Sequence, residues 1–272
     1  MYPHTHHQED QPILDIQKVS VHYDGRAALE NVTFHLHAGE RVAVVGPNGA
    51  GKSTLFKVVA GVLPPTEGMV NVYGSGPRGH VCIAYLPQRS QVDWNFPVSV
   101  ADVVMMGRIA KMGILGWPKK RDWDFVRTAL ETVGLADLAG RQIGQLSGGQ
   151  QQRMFIARAL AQEAELMLMD EPLTGLDVPS QESILVLLDD LQRRGVTVMV
   201  ATHDLEQAAR YFDRIMLLNR RLIGFGSAED VFQPEKLLLA YGGRLRRVGV
   251  GGEVLAVTDT CCDEGEAHDH DY

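Results

Sequence analysis

The sequence has few cysteines, no long apolar run and no apolar leader, and each shortage excludes a class of protein. Only three cysteines occur among 272 residues, which excludes a disulfide framework and indicates a reducing compartment. No stretch approaches the ~18 consecutive apolar residues of a membrane-spanning helix. Residues 1–12 are polar and rich in histidine, unlike a signal peptide. We therefore expect a chain that stays in the cytosol.

Basic residues are also scarce, and their distribution bears on nucleic-acid binding. The formal net charge is −8, and six acidic residues lie after residue 257, in a segment without lysine or arginine. The rest of the chain is therefore close to neutral. Because sequence-independent nucleic-acid binding requires a basic face, we expect no nucleic-acid partner.

The patterning of apolar residues predicts an α/β fold, in which short apolar runs alternate with helical patterns as in βαβ units. Strands are predicted at 32–36, 41–45, 82–86, 166–169, 196–201 and 215–218, and helices at 53–63, 149–163 and 179–194. Residues 89–146 carry helical patterns without a clear strand, which indicates an inserted helical subdomain. We place one domain at 13–249, between flexible ends at 1–12 and 250–272.

A glycine-rich segment follows the predicted strand 41–45 and fits the pattern G-x-x-x-x-G-K-[ST] of a phosphate-binding loop. Its members are Gly46, Pro47, Asn48, Gly49, Ala50, Gly51, Lys52, Ser53 and Thr54. Glycines let backbone N–H groups turn toward a phosphate, and the following helix adds its positive end. Lys52 would contact the β- and γ-phosphates, and Ser53 would coordinate Mg²⁺. A simple glycine turn is the alternative, but the strand–loop–helix context favours nucleotide binding.

Two acidic residues, Asp170 and Glu171, follow the predicted buried strand 166–169. Such a strand delivers them to the edge of the sheet where α/β proteins bind ligands. Because adjacent carboxylates repel each other, a cation or a partner is expected there. Asp170 suits Mg²⁺, directly or through water, and Glu171 can accept a proton from an attacking water as a general base. Alternatively, the two acids only cap the following turn.

A third motif, Leu146-Ser147-Gly148-Gly149-Gln150, lies about twenty residues before Asp170. Alone, it could be a helix N-cap with a flexible turn. Together with the phosphate loop and the paired acids, in this order, it makes the chain resemble the ATP-binding subunits of ABC transporters over about residues 13–245. The resemblance implies an α/β fold with a P-loop NTPase (RecA-like) core, an antiparallel β subdomain and an inserted α-helical subdomain.

The resemblance also implies roles for single residues. Tyr23 would stack on adenine, and Gln88 would touch Mg²⁺ and the attacking water and report to the membrane partner. His203 would sense the γ-phosphate, and Asp177 would cross to a second subunit. From the residues alone, Tyr23 and His203 could pack in the core, and Gln88 could be an ordinary loop residue. In the segment Thr174-Gly175-Leu176-Asp177, the pair Thr174-Gly175 stands where the family usually has Ser-Ala.

In this family, two copies sandwich two ATP molecules. Ser147, Gly148, Gly149 and Gln150 of one copy would face the γ-phosphate held by the loop of the other. Hydrolysis of ATP, with Mg²⁺ as a cofactor, separates the copies and drives the membrane subunits. The resemblance therefore implies an ATPase that forms a homodimer on a polytopic permease, as a peripheral subunit at the cytoplasmic face of the cell membrane. A periplasmic or extracellular metal-binding protein would be an indirect partner.

Four segments indicate what is transported. Residues 88–97, 102–108, 232–235 and 241–245 resemble the manganese, zinc and iron uptake branch of the family. Asn95 stands where that branch more often has an acid. We take manganese as the first choice, zinc as the second and iron as the third. Gln88 and residues 93–97 are expected to couple hydrolysis to the permease, with Trp94 as an exposed anchor.

Histidines and cysteines outside these motifs are candidate metal ligands. The ends of the chain hold His4, His6, His7, Cys261, Cys262, His268 and His270. Such side chains bind soft or borderline metals, but a solvated tail that binds none is the favoured interpretation. His35 and His37 share the polar face of a predicted strand, where simple exposure is favoured.

Three alternatives to a metal importer stay open. One is a non-transport ABC ATPase of translation or repair, which usually carries two cassettes or a long coiled-coil insertion. Another is an importer for a different substrate, such as an iron chelate. A catalytically inactive regulatory cassette is disfavoured because Lys52, Asp170, Glu171 and His203 are all present.

Overall fold

The computed structural model describes residues 12–77, 82–88, 92–113, 116–242, 247–250 and 253–256. The strands are β1 (Leu14–Tyr23), β2 (Arg26–Leu36), β3 (Arg41–Val45), β4 (Glu67–Val72), β5 (Ile83–Leu86), β6 (Leu166–Asp170), β7 (Thr197–Thr202), β8 (Arg214–Asn219), β9 (Arg221–Gly226), β10 (Arg247–Val250) and β11 (Glu253–Ala256). The α-helices are α1 (Lys52–Val59), α2 (Val100–Met106), α3 (Ile109–Met112), α4 (Lys120–Thr132), α5 (Gly148–Ala161), α6 (Val178–Arg193), α7 (Leu205–Tyr211), α8 (Ala228–Val231) and α9 (Pro234–Tyr241). Short 3₁₀ helices occur at Ala136–Leu138 and Ile143–Gln145.

The central sheet has the strand order β5-β6-β7-β3-β8-β9 and is parallel except for the antiparallel pair β8–β9. Its inner strands read as continuous apolar runs because both faces of the sheet are covered. In β3, Val42 and Val44 pack toward α1 and the second sheet, whereas Ala43 and Val45 pack toward α5 and α6. The predicted α/β fold with a P-loop core is confirmed.

A second sheet of three antiparallel strands, in the order β2-β1-β4, lies on one side of the core. In it, Leu14 pairs with Leu36 on one side and with Val72 on the other. Of these strands, only the second half of β2 was predicted from alternation. The side chains of β1 do not alternate strictly, because bulges between Ile16 and Val21 interrupt its pairing with β2.

The helical insertion contains α2, α3, α4 and the two 3₁₀ helices, as its punctuated helical pattern predicts. Ser99 and Asp102 form a capping box at the start of α2. At the other end of α2, the helix crosses α5 closely. A β-carbon at Gly107 would lie 2.3 Å from the carbonyl oxygen of Arg158, so only glycine permits this approach.

One buried cation joins the insertion to the end of α5. The side chain of Arg108 is 1% exposed. It donates to the Asp122 carboxylate at 3.2 Å, to the Ala161 carbonyl at 2.8 Å and to the Glu163 carboxylate at 2.8 Å. Its guanidinium also lies 4.0 Å from the centre of the Phe125 ring. The buried charge is tolerated because two carboxylates, a carbonyl oxygen and an aromatic ring surround it.

The C-terminal strands β10 and β11 form an antiparallel hairpin in which Val250 pairs with Glu253. The boundary predicted at residue 250 falls inside this hairpin, whose second strand is Glu253–Ala256. Residues 1–11 and 257–272, with the terminal histidines and cysteines, lie outside the described residues. The predicted domain limits stay a prediction. Among the described helices, none has the length and apolar character needed to cross a membrane.

Candidate functional site

Four neighbouring parallel strands end at the same edge of the central sheet. Their register pairs Leu86 with Met169, Asp170 with Ala201, and Val45 with Thr202. The residues that follow these strands therefore meet: the glycine-rich loop after β3, Gln88 after β5, the paired acids at the end of β6, and His203 after β7. The topology brings together segments that lie more than 150 residues apart in the chain.

The glycine-rich loop is held in place by close backbone contacts. A β-carbon at Gly46 would lie 2.0 Å from the carbonyl oxygen of Leu218. Gly51, with φ of 95°, precedes α1, and a β-carbon there would lie 2.4 Å from the carbonyl oxygen of Ala28. These positions require glycine for space as well as for backbone freedom. Lys52 donates from Nζ to the carbonyls of Gly46 at 2.6 Å and Pro47 at 3.1 Å.

An open cavity of about 770 Å³ lies over this edge of the sheet. It is lined by Tyr23, Ala28, Asn48, Gly49, Ala50, Gly51, Lys52, Ser53, Thr54, Gln88, Glu171 and His203. All of these except Ala28 were predicted as site residues. Ala28 reaches the cavity through the backbone packing of β2 against Gly51, which no sequence pattern signals.

Asp170 lies beneath the cavity and is buried. Burial raises the pKa of its carboxyl group, a hydrogen bond with Ser53 opposes this, and the neighbouring Glu171 raises it further. Among the described residues, its Oδ2 atom has no hydrogen-bond donor. A buried carboxylate oxygen without a donor fits a cation, and carboxylate, hydroxyl and amide oxygens are the ligands Mg²⁺ prefers.

Glu171 is held from several sides at the rim of the cavity. Its Oε2 accepts from Thr174 Oγ1 at 3.2 Å and from Gln88 Nε2 at 3.4 Å, and its Oε1 lies 4.0 Å from His203 Nδ1. Its backbone has φ of 50°, a left-handed conformation that is unfavourable for a non-glycine residue. The N–H of Glu171 donates to the carbonyl of Ala201 at 3.1 Å. The surrounding contacts therefore fix both the backbone and the carboxylate.

The predicted residues Ser147, Gly148, Gly149, Gln150 and Asp177 do not line this cavity. They form a separate surface. Ser147 and Gln150 make a capping box at the start of α5, and Asp177 is the exposed N-cap of α6. The two helix starts are neighbours, because a β-carbon at Gly149 would lie only 2.7 Å from the hydroxyl of Ser180. One chain thus carries its predicted site residues on two separate surfaces, the cavity and the neighbouring starts of α5 and α6.

Trp94 differs from its prediction as an exposed anchor. It is half-buried, and its ring packs against Phe155 with ring centres 5.8 Å apart. The exposed aromatic of the segment is Phe96, which is 57% exposed. Alternation and composition do not distinguish the two, because the packing partner of Trp94 lies on α5. Residues 89–91 lie outside the described residues.

His35 and His37 are exposed, as expected, and their rings meet edge to face with centres 5.4 Å apart. In the described part of the chain, no cluster of three or more histidine, cysteine or acidic side chains is arranged to hold a metal ion. The terminal candidates, from His4 to His7 and from Cys261 to His270, lie outside the described residues.

Comparison with known proteins identifies a family and several relatives that are similar to this chain. The family described as "ABC transporter" matches residues 29–174. The chain is 46% identical over 233 residues to the manganese transport system ATP-binding protein of Bacillus subtilis, covering 85% of this chain and 93% of that protein. It is 45% identical to the zinc transport system ATP-binding protein of Treponema pallidum, covering 85% and 88%.

A solved structure is similar to the chain as well. A metal-chelate type ABC transporter in an inward-facing conformation aligns with a TM-score of 0.76 and 31% identity. The alignment covers 90% of this chain and 95% of that one.

Proposed function

The chain belongs to the ABC transporter family, and on that basis we propose that it is the ATP-hydrolysing motor subunit of an importer for a divalent metal ion. The observation that carries the proposal is the cavity at the sheet edge. There a phosphate-binding loop, a paired acid, a glutamine and a histidine converge from four adjacent strands.

The residues of the cavity would divide the work on ATP. Tyr23, which lines the cavity, would stack on adenine. The backbone amides of residues 46–54 and the Lys52 ammonium would hold the β- and γ-phosphates. Glu171 would accept the proton of the attacking water, which is worth roughly 10²–10⁴ in rate. His203, beside Glu171, would contact the γ-phosphate.

The residues also fit Mg²⁺. Ser53, Gln88 and Asp170 would hold the ion, since the buried Oδ2 of Asp170 has no donor among the described residues. When bound, Mg²⁺ neutralises charge on the phosphate oxygens. The burial that raises the pKa of Asp170 makes a nearby positive charge favourable.

A complete site would require two copies of the chain. The surface formed by Ser147, Gly148, Gly149, Gln150 and Asp177 lies outside the cavity of its own chain. The N-terminus of α5 attracts an anion, so we infer that it faces the γ-phosphate bound in the second copy. Closure of the homodimer would exclude water and strengthen the electrostatic stabilisation of the transferring phosphoryl group.

The cargo is inferred from the relatives. The similar proteins are named for manganese in Bacillus subtilis, zinc in Treponema pallidum and chelated iron in Yersinia pestis. We keep manganese as the first choice, followed by zinc and iron. The partners would be a polytopic permease and, indirectly, an extracellular or periplasmic metal-binding protein. The subunit would sit peripherally at the cytoplasmic face of the membrane.

Uptake in cells tests the transport proposal. A strain without this chain should lose high-affinity uptake of radioactive manganese, and the wild-type chain should restore it whereas Glu171→Gln should not. Competition with zinc and iron ranks the three cargoes. Normal manganese, zinc and iron uptake in the deletion strain would refute a metal-importing role.

The dimer proposal has its own test. In Glu171→Gln the base is lost while phosphate binding is kept, so ATP with Mg²⁺ should convert the purified variant from monomer to dimer in light scattering. Glu171→Gln combined with Lys52→Ala is the control and should stay monomeric. A monomeric Glu171→Gln protein at saturating ATP would contradict the two-copy site.

A further inference from the structure

Exposed tryptophan and lysine side chains lie together at the start of α4 and in the residues just before it. We call these the basic aromatic patch, and its members are Trp117, Lys119, Lys120 and Trp123. Trp117 is 85% exposed and Trp123 is 46% exposed. The sequence has only three tryptophans, and two of the three are exposed within the seven residues 117–123.

The stability of the helix does not explain the two lysines of the patch. Lys119, Lys120 and Arg121 occupy the N-cap and first turn of α4, the positive end of the helix, where cations are disfavoured. The helix start is capped instead by the buried Asp122, which accepts from the backbone N–H of Lys119 at 3.0 Å. The cations are therefore placed where helix stability opposes them.

The two patch tryptophans contrast with Trp94. Trp94 packs against Phe155 and contributes to the core, whereas Trp117 leaves most of its ring in water. In the described ranges, no salt bridge joins Lys119 or Lys120 to a carboxylate. An exposed indole beside unbridged ammonium groups indicates a partner that is both anionic and apolar.

We propose that the basic aromatic patch binds the anionic surface of a phospholipid bilayer. Indole rings favour the level of the headgroups, where the ring is apolar and its N–H stays hydrated. Lysine stems can lie along the same layer while their ammonium groups reach lipid phosphates. The inference rests on the proposed function, because assembly with a membrane permease would bring this surface to a bilayer.

The position of Trp123 connects the patch to the proposed permease side. Trp123 lines an apolar groove of about 140 Å³ together with Ala101, Val126, Leu130 and Ala136. Ala101 lies on α2, directly after the segment 93–97 that is expected to meet the permease. A permease docked at this groove would lie beside Trp123 and the start of α4, which carries Lys120.

The net charge of the whole chain opposes binding to an anionic bilayer. A protein with net charge −8 is repelled by an anionic surface at long range. Binding to anionic vesicles therefore requires a local basic site. In the described part of the chain, the patch combines two successive lysines with two exposed indoles.

The test is flotation of the purified full chain with vesicles. We expect binding to vesicles of phosphatidylglycerol and phosphatidylcholine, weakened by salt, and little binding to phosphatidylcholine alone. Lys119→Gln with Lys120→Gln should reduce partitioning by about 25-fold, from about fivefold for each lysine near an anionic surface. Trp117→Ala should reduce it severalfold, and basal ATPase should be unchanged in both variants.

Matched controls remove the same charge or apolar area elsewhere. Arg193→Gln with Arg194→Gln deletes two exposed cations at the end of α6, and Leu239→Ala shortens an exposed leucine on α9. Both should bind vesicles like the wild type. Absence of wild-type flotation, or equal loss in patch and control variants, would overturn the proposal.

Co-purification with the permease separates this inference from the proposed function. The patch variants should still co-purify with the permease, because the lipid contact adds to docking without replacing it. Loss of co-purification in Trp117→Ala, with vesicle binding intact, would make the patch a protein-docking surface and overturn the lipid proposal. Failure of the wild-type chain to co-purify would count against the proposed function instead.

Discussion

The hydroxyl of Thr174 donates a hydrogen bond of 3.2 Å to Oε2 of Glu171, the group proposed as the general base. This threonine lies three residues after Glu171, and its hydrogen bond places it beside the proposed base. Gln88 donates to the same oxygen, Oε2, whereas His203 lies near Oε1. The hydrogen bond from Thr174 therefore helps to fix the orientation of the Glu171 carboxylate in the cavity.

Removal of this hydroxyl should impair turnover more than nucleotide binding. Thr174→Val keeps the shape of the side chain but cannot donate, so kcat for ATP should fall about tenfold, within the range for a mispositioned base. KM should change little, and Thr174→Ser should restore kcat. Steady-state ATPase kinetics measure both parameters, and an equal loss in the valine and serine variants would refute a role for the hydroxyl.

Lys52→Ala should weaken nucleotide binding itself. The ammonium now bonded to the carbonyls of Gly46 and Pro47 is the charge expected on the phosphates. Loss of a charge-assisted contact is worth about 1.5–3 kcal/mol, so the Kd for ATP should rise by about tenfold or more. Calorimetric titration measures it. Lys236→Ala, on α9 and away from the cavity, should bind ATP normally.

Arg108→Met should destabilise the fold because it leaves two carboxylates without their buried partner. We expect a loss of about 3 kcal/mol in the free energy of unfolding at neutral pH. The matched control, Arg127→Met, removes an exposed pair with Asp124 and should cost less than about 1 kcal/mol. Chemical denaturation of the three proteins measures the difference, and equal losses would contradict the burial argument.

The Arg108 contribution should also depend on pH. A hydrogen bond from the backbone of Lys119, and then the Arg108 guanidinium, lower the pKa of Asp122 below its usual 3.8. A carboxyl group whose pKa is lower in the folded state stabilises that state fully at a pH above its pKa in the unfolded chain. This stabilisation is lost as the pH falls through its pKa in the folded state. The stability gap between wild type and Arg108→Met should therefore narrow below about pH 4.

Phe96→Ala should reduce stimulation by the permease while leaving basal ATPase unchanged. Phe96 is the exposed aromatic of its segment, and exposed aromatics are frequent interface anchors. Trp94→Ala should instead lower stability and both rates, because its ring packs on Phe155. ATPase assays with and without the permease separate the two outcomes. Equal basal and stimulated losses in Phe96→Ala would contradict the interface role.

Deletion of residues 258–272 should leave the preference among manganese, zinc and iron unchanged. The roles proposed for the cavity residues concern phosphate and Mg²⁺, so we expect cargo selection to belong to other subunits. Cysteine and histidine ligands in the tail would favour zinc over manganese if they acted at all. ATPase activity over a zinc titration should be identical for the full and shortened chains, and a zinc-dependent difference would indicate a sensing role.

The parts of the site that short motifs encode could be predicted from the sequence. The loop of residues 46–54 and the acids at 170 and 171 follow apolar runs, so their place at one edge of the sheet could be predicted; their chemistry stays a prediction. Ala28 could not be found this way, because it reaches the cavity through a backbone contact with Gly51. Trp94 was misjudged for the same reason: its burial depends on Phe155, about sixty residues later.

The elements that were not predicted are those whose pattern depends on distant partners. β1 and β4 pair with each other across fifty residues and carry bulges, which interrupts a strict period of two. The short helices α7, α8 and α9 have few turns from which a periodicity could be recognised. By contrast, every residue of β6 and β7 is buried, so these strands could be predicted from their apolar composition alone.

The position of β3 in the central sheet constrains the order in which the chain can fold during synthesis. β3 ends at residue 45, but its two neighbours, β7 and β8, begin at residues 197 and 214. A nascent chain that has emerged only as far as α6 thus carries the complete phosphate loop on a strand with no partner on either side. The antiparallel sheet can form early, whereas the nucleotide pocket must wait for a long-range closure late in translation. A ribosome-stalled chain should consequently acquire ATP binding in a single step, only after β8 has left the exit tunnel.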